Sequence, residues 1–165
     1  MKKVYLAPGK LYATSKLVQV VVVLGSCVSV ILYCRRLGFS TVCHAQLPSG
    51  PPGNVRYVDA SIMWMREWFA AQDIQAPDLE VSLFGGGDMF GPITKERKTK
   101  SVGRQNIERA LDVIKAEGLI LSRGDVGGRI GRKILFNTQT GDVSLFKSKN
   151  ISSAIRQISS LSGKR

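Results

Sequence analysis

A chain of 165 residues with 44% apolar and 22% charged residues fits one globular domain and excludes a disordered or collagen-like chain. Its three cysteines are an odd number, which argues against a secreted disulfide framework and favours a reducing compartment. The net charge is +12 and no acidic residue precedes Asp59, which favours an anionic partner such as nucleic acid, a lipid surface or an acidic protein.

The first predicted elements lie in an uncharged run at residues 17–33. This run could be a transmembrane helix or a signal peptide, and the tetrapeptide Leu-Gly-Ser-Cys ending at Cys27 matches the lipobox of an exported lipoprotein. However, its 17 residues fall short of the ~20 that a membrane-spanning helix needs. Its valines, interrupted by Gly25-Ser26, suit strands better than a helix. We predict two buried strands, at 18–24 and 28–33, with the lipoprotein as an alternative.

Strand and helix patterns alternate along the following residues. A turn at 34–38 leads to a strand at 39–47, and the Pro/Gly-rich residues 48–53 form a loop. Apolar periodicity predicts helices at 58–72 and 106–117, the second ended by Gly118. Four shorter strands are predicted at residues 81–84, 119–122, 133–137 and 143–146.

The chain divides into a domain at residues 1–146 and a basic extension at residues 147–165. The extension contains no acidic residue, and its apolar residues recur at helical spacing at Ile151, Ala154, Ile155, Ile158 and Leu161. Such a basic amphipathic helix either packs on its own domain or binds a partner or an anionic lipid surface.

His44 is the only histidine, so any chemistry that needs an imidazole has to use it. If the strands around a turn at Arg35-Arg36 pair in register, Cys27 lies directly opposite His44 on one face. A thiol and an imidazole so placed form a nucleophile and general-base pair, and N–H groups at Gly25 and Ser26 would face an oxyanion. The alternative is a buried cysteine beside a hydrogen-bonded core histidine.

Other chemistry has weaker support in the sequence. Cys34, Cys43 and His44 lack the paired C-x-x-C spacing of zinc sites, and Cys43 should point to the face opposite Cys27. The glycine runs at 85–87 and 127–131 lack the Gly-Lys-Ser/Thr of a phosphate-binding loop and are predicted to be turns. We therefore expect neither a metal nor a cofactor.

Several short motifs follow one another in a fixed order along residues 17–146. They are LGSCVSVILY at 24–33, HAQLP at 44–48, RYV at 56–58, LFGGGDM at 83–89, VG…NI at 102–107 and DVGG…GRKILF…TGDV at 125–143. No single motif is specific, but the ordered set resembles the CheD family of chemoreceptor glutamine deamidases.

This resemblance implies an α+β fold in which mixed β-sheets form a layered sandwich with helices packed on one side, as in cysteine hydrolases. It implies a cytoplasmic chemotaxis enzyme, an amidohydrolase that deamidates selected glutamines, and cleaves glutamyl methyl esters, on the cytoplasmic helices of chemoreceptors. A CheC-type phosphatase is an expected partner, and nucleic acid is not. Cys27 would attack as a thiolate of lowered pKa, and a protonated His44 would give its proton to departing ammonia.

The chain departs from the family pattern at four places. Val21 replaces the threonine that is the family's third catalytic residue, and Val42-Cys43 replaces a glycine-rich approach to the histidine. Gln105-Asn106 replaces an Arg-Asn pair, and the C-terminal extension has no counterpart. Without the threonine, His44 would need Ser29 or a backbone carbonyl as its hydrogen-bond partner. A catalytically impaired adaptor that binds receptors or the phosphatase is therefore an alternative function.

Overall fold

The computed structural model describes residues 1–89 and 99–149. The helices among them are α1 (Val58–Ala70), α2 (Val102–Ala116) and a short 3₁₀ helix (Ala76–Asp78). The strands are β1 (Lys2–Tyr5), β2 (Leu11–Thr14), β3 (Val18–Leu24), β4 (Val28–Cys34), β5 (Phe39–Cys43), β6 (Glu80–Gly85), β7 (Leu121–Val126), β8 (Gly131–Asn137) and β9 (Val143–Ser148).

The strands form two mixed sheets, which pack face to face. The four-stranded sheet has the order β1-β3-β8-β9, and the five-stranded sheet has the order β2-β5-β4-β6-β7. The pairs β1–β3 and β6–β7 are parallel and the others are antiparallel. Both helices pack on the outer side of the five-stranded sheet, where Ile62, Met65 and Ile114 join its core. The predicted α+β sandwich with helices on one side is confirmed.

All seven residues of β4 are buried, because this strand has an apolar layer on each side. Val28, Val30 and Leu32 face the helices, whereas Ile31 and Tyr33 face the four-stranded sheet. Burial on both faces explains the long uncharged run in the sequence, and the prediction of two buried strands there is confirmed. No helix in the described part of the chain is long and apolar enough to cross a membrane.

Several element boundaries differ from the predicted ones. Helix α2 begins at Val102, four residues early, because the Ser101 side chain accepts a hydrogen bond from the Arg104 N–H and caps the helix there. The strand expected at 119–122 lies at Leu121–Val126, since Leu119 packs in the helix-side core. Strands β1 and β2 were not predicted, because four residues each are too few for a recognisable alternation.

The last strand ends two residues after its predicted end at residue 146. Strand β9 continues to Ser148, and its residue Lys147 pairs with Arg132 of β8. Sheet pairing therefore runs two residues into the segment that we expected to be an extension. The predicted amphipathic helix lies outside the described residues.

Candidate active site

Cys27 and His44 lie on the same face of the β4–β5 hairpin but not directly opposite each other. Phe39 pairs with Cys34, so the hairpin loop spans four residues instead of two, and Val28 is bonded to Ala45 through both backbone groups, at 3.0 and 2.9 Å. The predicted direct opposition is wrong by two residues. Because the shift is even, both residues keep one face. They occupy diagonal positions, which are typically about 7–8 Å apart in Cα separation and within reach of a long side chain.

Cys27 belongs to a bend at residues 25–27 that joins β3 to β4. The carbonyl of Gly25 accepts a hydrogen bond from the Gly87 N–H, and the carbonyl of Cys27 accepts one from the Gly86 N–H, each at 2.8 Å. In contrast, the N–H groups of Gly25 and Ser26 donate no hydrogen bond within the described part of the chain. The bend therefore has fixed carbonyls and two unused donors next to the thiol.

The glycines at 85–87 are required by their close approach to this bend. A Cβ atom at Gly85 would overlap the Cys27 carbonyl oxygen, and Gly85 has a φ of +103° that disfavours any other residue. A Cβ atom at Gly87 would lie 2.7 Å from the Ile130 carbonyl oxygen and 3.2 Å from that of Gly25. Gly85 is the last residue of β6 and not part of a turn, and the glycine run supports the segment that carries Cys27.

Asn106 of α2 connects the two halves of the site. Its side chain is fully buried, and its Nδ2 donates to the carbonyls of Ser26 and Gln46, both at 3.0 Å. Ser26 precedes Cys27, and Gln46 follows His44 by two residues. The sequence matched Asn106 to the family's Arg-Asn pair but assigned it no role; a polar residue on the buried face of that helix was the available signal.

A backbone carbonyl anchors the imidazole. The Nδ1 atom of His44 lies 2.8 Å from the Leu6 carbonyl oxygen, and the Leu6 N–H in turn donates to the Val21 carbonyl at 2.9 Å. Because a carbonyl only accepts, Nδ1 carries the proton, and Nε2 of the neutral ring is left with a free lone pair. His44 is 3% exposed, so this bond is buried.

His44 therefore has an anchor that does not depend on a hydroxyl at position 21. Val20 and Val22 pack in the cluster between the sheets, so Val21 points to the opposite face of β3. Its contribution to the site is its main chain, which holds Leu6. The structure supplies the backbone-carbonyl alternative, and Ser29 Oγ has no hydrogen-bond partner among the described residues.

Burial moves both titrating groups of the site toward their neutral forms. It raises the pKa of the Cys27 thiol, an effect that its own backbone N–H partly offsets. It also lowers the pKa of His44, and the bond to Leu6 opposes that shift. Both directions run against the expected thiolate of lowered pKa and the expected protonated histidine.

Only one of the three cysteines, Cys27, lines the cleft beside the bend at residues 25–27. This cleft has a volume of about 450 Å³, and its walls include Ser26, Cys27, Gln46, Arg56 and Lys100. Its lining does not include His44. The other two cysteines, Cys34 and Cys43, are buried.

The predicted facing of Cys43 is confirmed. Cys43 packs in the helix-side core, whereas Cys27 packs against the cluster between the sheets. Burial raises the pKa of Cys43 to about 11, which makes it a poor nucleophile. Cys27 is thus the thiol that a substrate entering the cleft would meet.

Comparison with known proteins gives consistent results. The family described as CheD chemotactic sensory transduction matches residues 46–147. The "Probable chemoreceptor glutamine deamidase CheD 2" of Geobacter sulfurreducens is 45% identical over 143 residues, which cover 86% of this chain and 88% of that protein. Proteins named "Probable chemoreceptor glutamine deamidase CheD" include one from Oleidesulfovibrio alaskensis, 37% identical (85% and 70% covered), and one from Maridesulfovibrio salexigens, 34% identical (87% and 90% covered).

Proposed function

Because this chain belongs to the CheD family, we propose that it is an amidohydrolase that deamidates glutamine side chains of chemoreceptors to glutamate. One observation carries the proposal: the thiol of Cys27 opens into a cleft on the same hairpin face as an imidazole whose Nε2 is free. Relatives that bear the name of chemoreceptor glutamine deamidase support the choice of substrate.

The reaction begins with two neutral groups. Nε2 of His44 removes the proton from the Cys27 thiol as the sulfur attacks the carboxamide carbon of the glutamine side chain. The carbonyl π bond opens, and the negative charge goes to its oxygen. The N–H groups of Gly25 and Ser26 would donate to that oxygen, because they donate to no other group in the described part of the chain. The hydrogen bonds to the carbonyls of the same two residues hold this bend in place. The Leu6 carbonyl stabilises the imidazolium that has formed.

Three further proton transfers complete the cycle. The imidazolium of His44 gives its proton to the amide nitrogen, the C–N bond breaks and ammonia leaves, and a thioester to Cys27 remains. Nε2 then takes a proton from water, whose oxygen attacks the thioester carbon. The C–S bond breaks, the sulfur regains a proton from His44, and glutamate is released. A glutamyl methyl ester follows the same route with methanol as the leaving group.

The rim of the cleft offers a means of recognising acidic receptor helices. Arg56 lines the cleft and is exposed, and its guanidinium has no ion-pair or hydrogen-bond partner among the described residues. Receptor helices that are rich in glutamate would supply carboxylates for it and would be attracted by the net charge of +12. We keep a cytoplasmic location, a CheC-type phosphatase partner and the accessory role of the C-terminal extension as parts of this proposal.

Mass spectrometry of a receptor cytoplasmic fragment tests the proposed activity. The wild-type protein should convert glutamine to glutamate, and Cys27→Ala should not. Cys34→Ala is the matched control, since this buried cysteine lies away from the cleft; it should retain the activity. An inactive wild type that still binds the fragment would support the adaptor alternative, and conversion by Cys27→Ala would reject the proposed nucleophile.

A further inference from the structure

The two segments that carry the candidate catalytic residues diverge at the open end of the β4–β5 hairpin. The last backbone pair between them joins Val28 to Ala45. Beyond this pair, the carbonyls of Ser26 and Gln46 are not bonded to each other's N–H groups; both point to the Nδ2 of Asn106. A single side-chain amide therefore spans the gap that the hairpin leaves open.

We propose that Asn106 is a positioning residue that sets the distance between the Cys27 thiol and the His44 imidazole. This inference rests on the proposed function, because it assigns Asn106 to the proton transfer between these two groups. One NH₂ group has two protons and can serve two acceptors at once. Asn106 uses both, one on each side of the site.

The position of Asn106 is itself fixed by the start of α2. The side chain of Ser101 caps this helix, and Gly103 packs so closely on the glycine segment that a Cβ there would lie 2.6 Å from the Gly86 carbonyl oxygen. Asn106 lies three residues after Gly103, on the same side of the helix. The amide is therefore held against the same segment that supports the Cys27 bend.

A purely structural role explains Asn106 less well. Its Oδ1 atom is buried and has no hydrogen-bond partner among the described residues. An unpaired buried acceptor lowers stability, so a residue chosen for stability alone would not leave one. The two donated bonds, in contrast, are both directed at the segments that hold Cys27 and His44.

We call the two hydrogen bonds that Asn106 donates the Asn106 clamp. Its removal should uncouple Cys27 from His44 and leave the protein folded. A displacement of about 1 Å at a reacting group can cost ~10²-fold in rate, so Asn106→Ala should slow single-turnover deamidation roughly tenfold to a hundredfold. Substrate binding should be nearly unchanged. In addition, His44→Ala should cost less than about tenfold in the Asn106→Ala background, against roughly 10²–10⁴-fold in the wild type, because the base is already out of reach.

The test is a double-mutant cycle of Asn106→Ala and His44→Ala, measured where circular dichroism shows every variant to be folded. Asn106→Asp, which keeps the side-chain size and loses the NH₂ group, replaces Asn106→Ala if the latter does not fold. Thr138→Val is the matched control. The Thr138 hydroxyl is also buried and bridges two backbone groups, the Val18 N–H at 2.9 Å and the Lys16 carbonyl at 2.8 Å, at the other end of β3.

Non-additive losses for Asn106 and His44, with full activity for Thr138→Val, would support the clamp. Additive losses, or an equal loss for Thr138→Val, would reject it. Alkylation of Cys27 by iodoacetamide separates this inference from the proposed function, because it needs no receptor. His44 should accelerate alkylation in the wild type and not in Asn106→Ala; if the acceleration persists, the clamp is rejected even where the wild type proves inactive on receptors.

Discussion

The carbonyl oxygen of Leu6 and the Nδ1 atom of His44 form a buried hydrogen bond of 2.8 Å. This bond orients the imidazole with a main-chain group from the residue after strand β1. It also fixes the tautomer, so that Nε2 is the atom that accepts a proton. The first two predictions follow from this arrangement.

Substitution Val21→Thr should leave the deamidation rate within about twofold of wild type. The Val21 side chain points away from the cluster between the sheets, and His44 already has its acceptor in Leu6. Single-turnover rates on one receptor fragment are the measurement, and Val23→Thr on the same face of β3 is the control. A several-fold gain for Val21→Thr alone would mean that the Leu6 carbonyl is not a sufficient anchor for His44.

Alkylation of Cys27 should increase with pH and show no plateau at neutral pH. Burial raises the pKa of the thiol, so the thiolate fraction keeps growing through the alkaline range. Deamidation should instead be lost as pH falls through the lowered pKa of His44, below about 6.5, because the protonated imidazole cannot act as a base. His44→Ala should abolish this acid limb. Fast alkylation that is already constant at pH 6 would indicate a thiolate–imidazolium pair instead.

The sequence was sufficient to nominate Cys27 and His44 as candidates and insufficient to predict how they are held. A single histidine and a Gly-Ser-Cys bend between valine-rich strands limited the choice of catalytic groups. The register was misjudged because Arg35-Arg36 indicated a two-residue turn, whereas the loop extends to Gly38 at a φ of +68°. The length of a loop is set by its closing hydrogen bonds, which residue types specify only weakly.

The groups that hold Cys27 and His44 in place are even harder to recognise in the sequence. A backbone carbonyl such as that of Leu6 accepts a hydrogen bond whatever its side chain, so residue identity does not reveal this role. The clamp by Asn106 depends on the packing of α2 against a bend about 80 residues earlier in the chain. Likewise, the lowered pKa of His44 arises from its burial, which a motif does not record.

Substitution Gly85→Ala should destabilise the protein and slow deamidation. An alanine at a positive φ costs roughly 1–2 kcal/mol, and here its Cβ would also displace the Cys27 carbonyl. Gly128→Ala is the control, because Gly128 has a φ of +69° and no atom within 4 Å of its added Cβ. Thermal unfolding and single-turnover assays should show a larger loss for Gly85→Ala in both. Equal losses for Gly85→Ala and Gly128→Ala would mean that the close approach of Gly85 to Cys27 does not affect stability or the deamidation rate.

Substitution Arg56→Glu should raise KM for an acidic receptor fragment about tenfold or more and leave kcat nearly unchanged. The reason is loss of an unpaired cation on the cleft wall, and the effect should shrink at high salt. Arg36→Glu changes the net charge equally at the opposite end of β4 and serves as the control. If Arg36→Glu raises KM as much, the effect belongs to the charge of the whole protein.

Truncation after Phe146 should be less stable than truncation after Lys149. The shorter protein lacks the last two residues of β9, which pair with Gly131 and Arg132, and the ion pair between Lys147 and Asp125. Asp125 also forms an ion pair with the buried Arg132 at 2.8 Å. Loss of Lys147 would therefore also weaken the support of a buried side chain. Denaturant unfolding should separate the two proteins by about 1 kcal/mol or more. Equal stabilities would place the domain boundary at 146, as the sequence suggested.

Because His44 is anchored by a main-chain carbonyl, the side chains near it are a poor guide to whether the site can be active. Exchange of one side chain for another at position 6 or 21 leaves the carbonyl of Leu6 in place, provided that β1 and β3 stay paired. The absence of a hydroxyl at position 21 is therefore not evidence that the protein is catalytically inactive. Orientation of the imidazole depends instead on the pairing of β1 with β3. A change that separates these strands would remove the hydrogen bond to His44 while both candidate catalytic residues remain in the sequence.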